Sequence, residues 1–156
     1  MKHATKTIFH TAKTITIASL LTLSSSAFSG DLSFMVDDFN HADNNNLGIA
    51  RIAISDTTAG GKTTTEFAVT NGVIQIKGNI VPPRGLPGWS SLVLPLGSMN
   101  EPKDASKFTG IQLSVKLNRG SLSLSANSTE VTNFDYHAAP VVVSSDGKFH
   151  TVKISF

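Results

Sequence analysis

An alternation of apolar and polar residues with a period of two is the feature that most constrains the fold of this chain. In the run 108–117, every second residue from Ile111 to Leu117 is apolar, and the residues between them are polar. The same alternation recurs at 121–127 and from His150 to Phe156. Because successive side chains of a β-strand point to opposite faces, these runs are predicted to be half-buried strands.

Further β-rich runs are separated by turn residues. They cover 32–40, 48–55, 63–70, 73–79, 89–94 and 139–143. Asn71-Gly72 predicts a type I′ hairpin turn, in which both central residues have positive φ. Asn118-Arg119-Gly120 predicts a slightly longer hairpin loop. No run has sustained helical periodicity, so the many short strands and frequent turns predict an all-β, antiparallel β-sandwich or barrel.

The first 29 residues have the pattern of a cleaved signal peptide. Three lysines and no acidic residue precede or border the apolar run 14–23, and small residues follow it up to Ser29. The apolar run has about ten residues, against the roughly 20 that a membrane-spanning helix needs. We expect cleavage before Gly30, a mature domain over 30–156, no membrane span after cleavage, and a periplasmic or secreted location.

Removal of the signal changes the charge and hence the expected partners. The chain has 13 Lys and Arg against 11 Asp and Glu; without the three signal lysines, ten basic residues remain and the net charge falls from +2 to about −1. No basic surface of the kind that binds nucleic acid is therefore expected. The chain has no cysteine, which excludes disulfides, a cysteine nucleophile and zinc-thiolate sites.

Several segments, taken in order, form a recognisable series. The most specific segment runs from Asp56 to Thr63 with the pattern Asp-x-x-x-Gly-Gly-x-Thr. The others are Asp37-Asp38-Phe39, 72–79, 88–91, 108–116 and 149–154. This series resembles the complex I intermediate-associated protein family. The resemblance implies a galactose-binding-like jelly-roll β-sandwich, an architecture shared with several carbohydrate-binding modules.

The resemblance also implies that the domain is shortened at its C-terminus. The family's domain continues for several strands beyond the position that matches Phe156. A fragment is one explanation, and a strand supplied by a partner is the other. An uncovered strand edge and apolar face are liabilities for a monomer, so either explanation predicts apolar surface in this part of the chain.

A structural calcium ion is a possible cofactor, and no other cofactor is expected. The carboxylates of Asp37, Asp38 and Asp43 lie near the start of the domain, and calcium takes six to eight oxygen ligands. The asparagines at 44–46 extend this group. An Asx-rich turn without any metal explains the same residues equally well.

The candidate ligand-binding residues are Arg84, Trp89, Asp135, Tyr136 and His137. Trp89 is the only tryptophan and Tyr136 the only tyrosine of the chain. Such rings pack flat against a pyranose in sugar-binding proteins. For Trp89, however, the apolar Leu92 and Leu94 that follow it favour a position at the start of a core strand. Asp135, Tyr136 and His137 follow one another in a segment with little strand character, which favours an exposed loop.

No catalytic residues are predicted. Gly60-Gly61-Lys62-Thr63 lacks the spacing and the following helix of a phosphate-binding loop, and the chain has no Gly-x-Ser-x-Gly elbow. The sequence predicts an exported, non-catalytic binding module, and the resemblance to the jelly-roll family makes carbohydrate the favoured ligand class. A protein-interaction or assembly factor is the alternative, and a secreted hydrolase is third.

The signal-peptide prediction is tested by expressing the full chain in a bacterial host and measuring the intact mass of the exported protein. We expect a mature protein that begins at Gly30, because Ala27 and Ser29 supply small residues at the −3 and −1 positions of the cut. An exported protein that retains residues 1–29 would contradict the prediction.

Overall fold

The computed structural model describes residues 31–98, 101–132 and 138–156. The strands are β1 (Ile52–Ser55), β2 (Thr64–Thr70), β3 (Val73–Asn79), β4 (Ser90–Val93), β5 (Gly110–Val115), β6 (Leu122–Ser125), β7 (Ala138–Val141) and β8 (His150–Ser155). A short 3₁₀ helix, Asp56–Ala59, follows β1. The predicted all-β class is confirmed. The described residues include no helix with the length and apolar character that crossing a membrane requires.

The described strands pair antiparallel, and the pairing is nested twice. β2 pairs with β3, and β1 pairs with β4 on the outside of that hairpin; β6 pairs with β7, and β5 pairs with β8 outside them. A nested pattern arises when one long hairpin bends, so that its outer and inner parts form separate ladders. The first bend lies where β1 leads into β2 and β3 leads into β4.

The Asn71-Gly72 hairpin is confirmed. These two residues join β2 to β3 with φ angles of 51° and 72°, as a type I′ turn requires. The turn sets the register, with Thr70 opposite Val73 at one end and Thr64 opposite Asn79 at the other. This hairpin is the longest ladder in the described part of the chain.

The predicted hairpin at Asn118-Arg119-Gly120 is wrong, although the strand on each side of it is present. β5 pairs with β8, placing Ile111 opposite Ile154 and Leu113 opposite Val152. Cross-strand contacts between apolar side chains stabilise such pairs. β6 is only four residues long and offers a shorter apolar face to β5, so the more distant strand is the better partner.

The strand predicted over 32–40 does not form. The Asp37 carboxylate accepts a hydrogen bond from Phe39 N at 2.9 Å, and the Asp38 carboxylate accepts one from Asn40 N at 3.0 Å. Phe39 has a φ of 56°. Bonds between an aspartate side chain and the nearby backbone compete with a strand ladder, and here they turn the chain.

Apolar strand faces in this structure are mostly half-exposed. Among the described residues, Val141 is the buried hydrophobic side chain. Exposed large apolar side chains include Phe34, Ile52, Ile54, Ile76, Leu122, Val142 and Phe156. The alternation in the sequence thus identified which side of each strand is apolar, while the described strands leave much of that surface accessible.

Replacing Gly72 by alanine is expected to destabilise the protein by about 1 kcal/mol, because a Cβ is unfavourable at positive φ. The added Cβ would also lie 3.3 Å from Asn40 Oδ1. Urea unfolding measures the loss. Asn71→Gly is the control and should change stability less, since glycine adopts positive φ freely. A Gly72→Ala protein as stable as the wild type would contradict this account of the turn.

Candidate functional site

The Asp-x-x-x-Gly-Gly-x-Thr motif folds around the carboxylate of Asp56, a residue that is 0% exposed. Its Oδ2 accepts hydrogen bonds from Thr63 Oγ1 at 2.7 Å and from Trp89 N at 3.1 Å. Its Oδ1 accepts a longer one from Thr63 N at 3.4 Å. Both carboxylate oxygens therefore have donors, as a buried carboxylate requires.

The side chains of Asp56 and Thr63 continue two strand ladders beyond their ends. Asp56 N donates to Trp89 O at 3.1 Å, and the return bond runs from Trp89 N to the Asp56 carboxylate. Lys62 N donates to Val81 O at 2.8 Å, and Val81 N donates to Thr63 Oγ1 at 3.0 Å. Side-chain oxygens thus replace backbone carbonyls at the bend between the β1–β4 and β2–β3 ladders.

The two glycines of the motif are explained by the same arrangement. Gly60 has a φ of 86° and ends the 3₁₀ helix in a left-handed conformation. A Cβ on Gly61 would collide with the Asp56 carboxylate. Gly61 N also donates to Asp56 O at 2.9 Å, so Asp56 is bonded through its side chain and both of its backbone groups.

Residues 82–88 form a loop whose two ends meet at this buried pair. Leu86 N donates to Pro83 O at 3.2 Å, and Gly85 has a φ of 79°, which together define a type II turn. Arg84 occupies the exposed first central position of the turn. Leu86 is 55% exposed, so the turn presents a cation and an apolar side chain to solvent.

Two of the predicted ligand-binding residues, Arg84 and Trp89, lie on this loop and at its end. Trp89 directly precedes β4, consistent with the expectation that it opens a strand, yet it is 39% exposed. Asp135, Tyr136 and His137 lie outside the described residues.

Two cationic residues lie in the Asp56 to Thr63 motif and in the 82–88 loop. The segments 57–65 and 78–98 contain Lys62 and Arg84 and no acidic residue. Both cationic residues are exposed, whereas the neighbouring Asp56 is buried. Sequence reasoning identified Arg84 and Trp89 but not the role of Asp56 and Thr63; the motif that contains both was the available signal.

The first of the predicted calcium ligands, Asp37, binds an arginine. Arg51 Nε donates to Asp37 Oδ2 at 2.7 Å, and Arg51 Nη2 donates to Oδ1 at 2.8 Å. Arg51 Nη1 donates to the carbonyls of His41 and Ala42, each at 3.0 Å. The side chains of Arg51 and Asp37 are 6% and 2% accessible. The hydrogen bonds to Asp37 raise the pKa of Arg51, and the guanidinium occupies the oxygens that a cation would need.

The other two predicted calcium ligands are more accessible. The backbone hydrogen bond from Asn40 and the contact with Asn46 lower the pKa of Asp38. Asp43 is exposed and lines a surface depression of about 380 Å³ formed by residues 41–46 and 48. Within the described ranges, no group of three or more His, Cys, Asp or Glu residues is arranged to hold a metal. Calcium at Asp37, Asp38 and Asp43 stays a prediction.

The asparagine run beside these aspartates has a structural role at Asn45. Asn45 Oδ1 accepts hydrogen bonds from Leu47 N and Ile49 N, both at 3.0 Å, and its Nδ2 donates to Pro95 O at 2.8 Å. The residue is 1% exposed. The interpretation of this run as an Asx-rich turn is therefore confirmed at Asn45.

A histidine and an aspartate meet at the start of β8. His150 Nε2 lies 2.8 Å from Asp146 Oδ1, and this hydrogen bond is the largest cause of the lowered pKa of Asp146. In the described part of the chain, no hydroxyl nucleophile is hydrogen-bonded to the His150 ring. The pair links Asp146, in the turn before β8, to the first residue of that strand.

No protein-family model, curated protein or solved structure matches this chain. Its function is therefore inferred from its own residues. The 82–88 loop and the residue that follows it bring together an exposed Arg84, a partly exposed Trp89 and a backbone that is hydrogen-bonded on both sides. Such a surface is suited to non-covalent binding.

Replacing Arg51 by lysine is expected to destabilise the protein by about 1–3 kcal/mol, because lysine keeps the charge but loses the two-pronged bond to Asp37. It would also leave the carbonyls of His41 and Ala42 without their present donor. Urea unfolding is the measurement. The control is Arg119→Lys, at an exposed position, which should have little effect. Equal effects of the two substitutions would contradict the structural role of Arg51.

Proposed function

We propose that this chain is an exported, non-catalytic binding module that binds carbohydrate at the 82–88 loop and Trp89. The observation that carries the proposal is that Arg84 lies on this loop and Trp89 directly after it, while the residues that flank the loop, Val81 and Trp89, are hydrogen-bonded to the buried Thr63 and Asp56. Both residues are candidate ligand contacts in the sequence, where the start of a core strand is the alternative for Trp89.

The chemistry of the two side chains suits a sugar. The C–H face of a pyranose packs on an indole ring, and part of the Trp89 residue is exposed. The guanidinium of Arg84 has five N–H donors for ring hydroxyls or a uronate carboxylate. A loop held in one conformation before binding loses less conformational freedom when the ligand arrives, which favours affinity.

The proposal includes a galactose-binding-like jelly roll and a relationship to the complex I intermediate-associated family. The doubly nested antiparallel pairing supports this architecture, since jelly rolls are made of long hairpins that bend between two sheets. The Asp56 to Thr63 motif supports the family relationship, because Asp56, Gly61 and Thr63 meet in one buried arrangement and Gly60 ends the 3₁₀ helix that leads to it. Export and signal cleavage are part of the same proposal.

A protein-interaction or assembly role is the second candidate, and a different observation favours it. Large apolar side chains are exposed on several strand faces, among them those of Ile52, Ile54 and Ile76. Exposed apolar surface of this kind is typical of a face that another polypeptide covers. This candidate predicts that no glycan binds at Trp89.

Carbohydrate binding is tested by titrating the protein with soluble neutral and acidic polysaccharides while recording tryptophan fluorescence. Trp89 is the only tryptophan, so any change in emission reports its own surroundings. We expect a saturable change with one glycan class and a rise in the melting temperature, because the ligand binds only the folded state. A parallel titration with calcium and with a chelator tests the calcium prediction.

Arg84→Gln should weaken glycan binding about tenfold, the effect of losing a hydrogen bond from a charged donor. Trp89→Ala should abolish the thermal shift. Arg119→Gln, which changes an exposed arginine on another turn, is the matched control and should leave affinity unchanged. Absence of any shift with every glycan would contradict the proposal and favour the protein-interaction role.

A further inference from the structure

We infer that Asp56 and Thr63 are positioning residues for ligand binding: they hold the 82–88 loop closed and so fix Arg84 and Trp89 relative to each other. The inference rests on the proposed carbohydrate-binding function and deepens it. Neither side chain is available to a ligand, since Asp56 is 0% and Thr63 5% exposed. Their effect on ligand binding therefore acts through the position of the loop.

The Thr63 hydroxyl and the Asp56 carboxylate together join the two ends of the loop. Thr63 Oγ1 donates to Asp56 Oδ2 at 2.7 Å and accepts from Val81 N, the residue before the loop, at 3.0 Å. Asp56 Oδ2 also accepts from Trp89 N, the residue after the loop, at 3.1 Å. The connection from Val81 through Thr63 and Asp56 to Trp89 is continuous, and each link is a hydrogen bond.

Packing at the base of the loop independently shows that its ends meet. A Cβ on Gly88 would collide with the side chain of Ile80 and would lie 3.0 Å from Pro82 Cβ. The same Cβ would lie 3.2 Å from Asp56 Oδ2. This close approach favours glycine at position 88 and places the two ends of the loop side by side.

The loop itself has little internal freedom. Three of its seven residues are proline, which fixes φ, and the Pro83–Leu86 bond closes a turn inside it. When a stiff segment is attached at its ends, its orientation depends on those attachments. Losing the hydroxyl of Thr63 is therefore expected to change the placement and mobility of Arg84 and Trp89 more than the conformation of the turn.

Limited proteolysis with trypsin measures loop opening without a ligand. The loop contains the bond Arg84–Gly85, and another turn contains the bond Arg119–Gly120. Both arginines are exposed, and both glycines have positive φ, 79° and 88°. Cleavage of a folded protein follows the population of locally opened states, so the second bond is a matched control within the same molecule.

The variants are Thr63→Val, Thr63→Cys and Thr63→Ser. Valine has nearly the shape of threonine but can neither donate nor accept, cysteine is a weak donor and acceptor, and serine retains the hydroxyl. We expect Thr63→Val to raise the rate of cleavage at Arg84–Gly85 about tenfold, as loss of a buried hydrogen-bond partner predicts. Cleavage at Arg119–Gly120 should not change.

Thr63→Ser should restore slow cleavage at Arg84–Gly85, and Thr63→Cys should be intermediate. Circular dichroism and a thermal melt establish that each variant is folded at the temperature of digestion. If Thr63→Val does not fold, Thr63→Cys and Thr63→Ser are compared instead. The same difference in cleavage rate at Arg84–Gly85 is then expected, but it is smaller. Equal acceleration at both bonds, or no acceleration at either, would overturn the inference.

The second readout is affinity for the glycan identified with the wild-type protein, measured well below the melting temperature. Thr63→Val should bind the glycan about tenfold more weakly, because it loses the same buried hydrogen bonds. Thr63→Ser keeps the hydroxyl and should bind like the wild type. Selective cleavage at Arg84–Gly85 with unchanged affinity would overturn the positioning role. If the wild-type protein binds no glycan, selective cleavage of Thr63→Val would still establish that Thr63 holds the loop closed. The proposed function would then be refuted, and with it the role of Asp56 and Thr63 in ligand binding.

Discussion

The buried carboxylate of Asp56 is the interaction on which this part of the structure depends. A charge-bearing group removed from water needs hydrogen-bond donors, and Asp56 obtains them from Thr63 and Trp89 on different segments. Satisfying the carboxylate therefore brings the end of β1, the start of β2 and the start of β4 together. At the bend, where the β1–β4 and β2–β3 ladders separate, the side chains of Asp56 and Thr63 accept the hydrogen bonds that backbone carbonyls would accept within a ladder.

The 82–88 loop follows from that constraint. Its ends are fixed by Asp56 and Thr63, its interior is stiffened by proline, and its outward residues, Arg84 and Leu86, are exposed. The binding proposed for this loop depends on a rigid base rather than on a deep cavity. The Arg51 and Asp37 ion pair is a second buried polar arrangement, and it organises the segment before β1 in a similar way. In both arrangements an aspartate, Asp56 or Asp37, is hydrogen-bonded to other segments of the same chain.

Much of the strand content was predictable, because alternation and turn residues are local signals. The β2–β3 hairpin followed from Asn71-Gly72, and the apolar face of β5 followed from its period-two pattern. Pairing was less predictable: β5 joins β8, which is distant in the sequence and matches its apolar face. Asp37 was predicted to be a calcium ligand, whereas in the structure it binds Arg51. The two residues are 14 positions apart, and no local sequence signal indicates that they meet. Arg84 and Trp89 could be singled out by residue type, whereas the buried network behind them required the fold.

Amide hydrogen exchange of Val81 and Trp89 tests the central claim most directly. Their N–H groups donate to Thr63 Oγ1 and Asp56 Oδ2, so they report the two attachments of the loop one by one. If Asp56 and Thr63 hold the loop closed, both amides are protected like those of the β2–β3 ladder, and Gly85 at the exposed turn exchanges much faster. Exchange of Val81 and Trp89 as fast as that of Gly85 would contradict this role of Asp56 and Thr63.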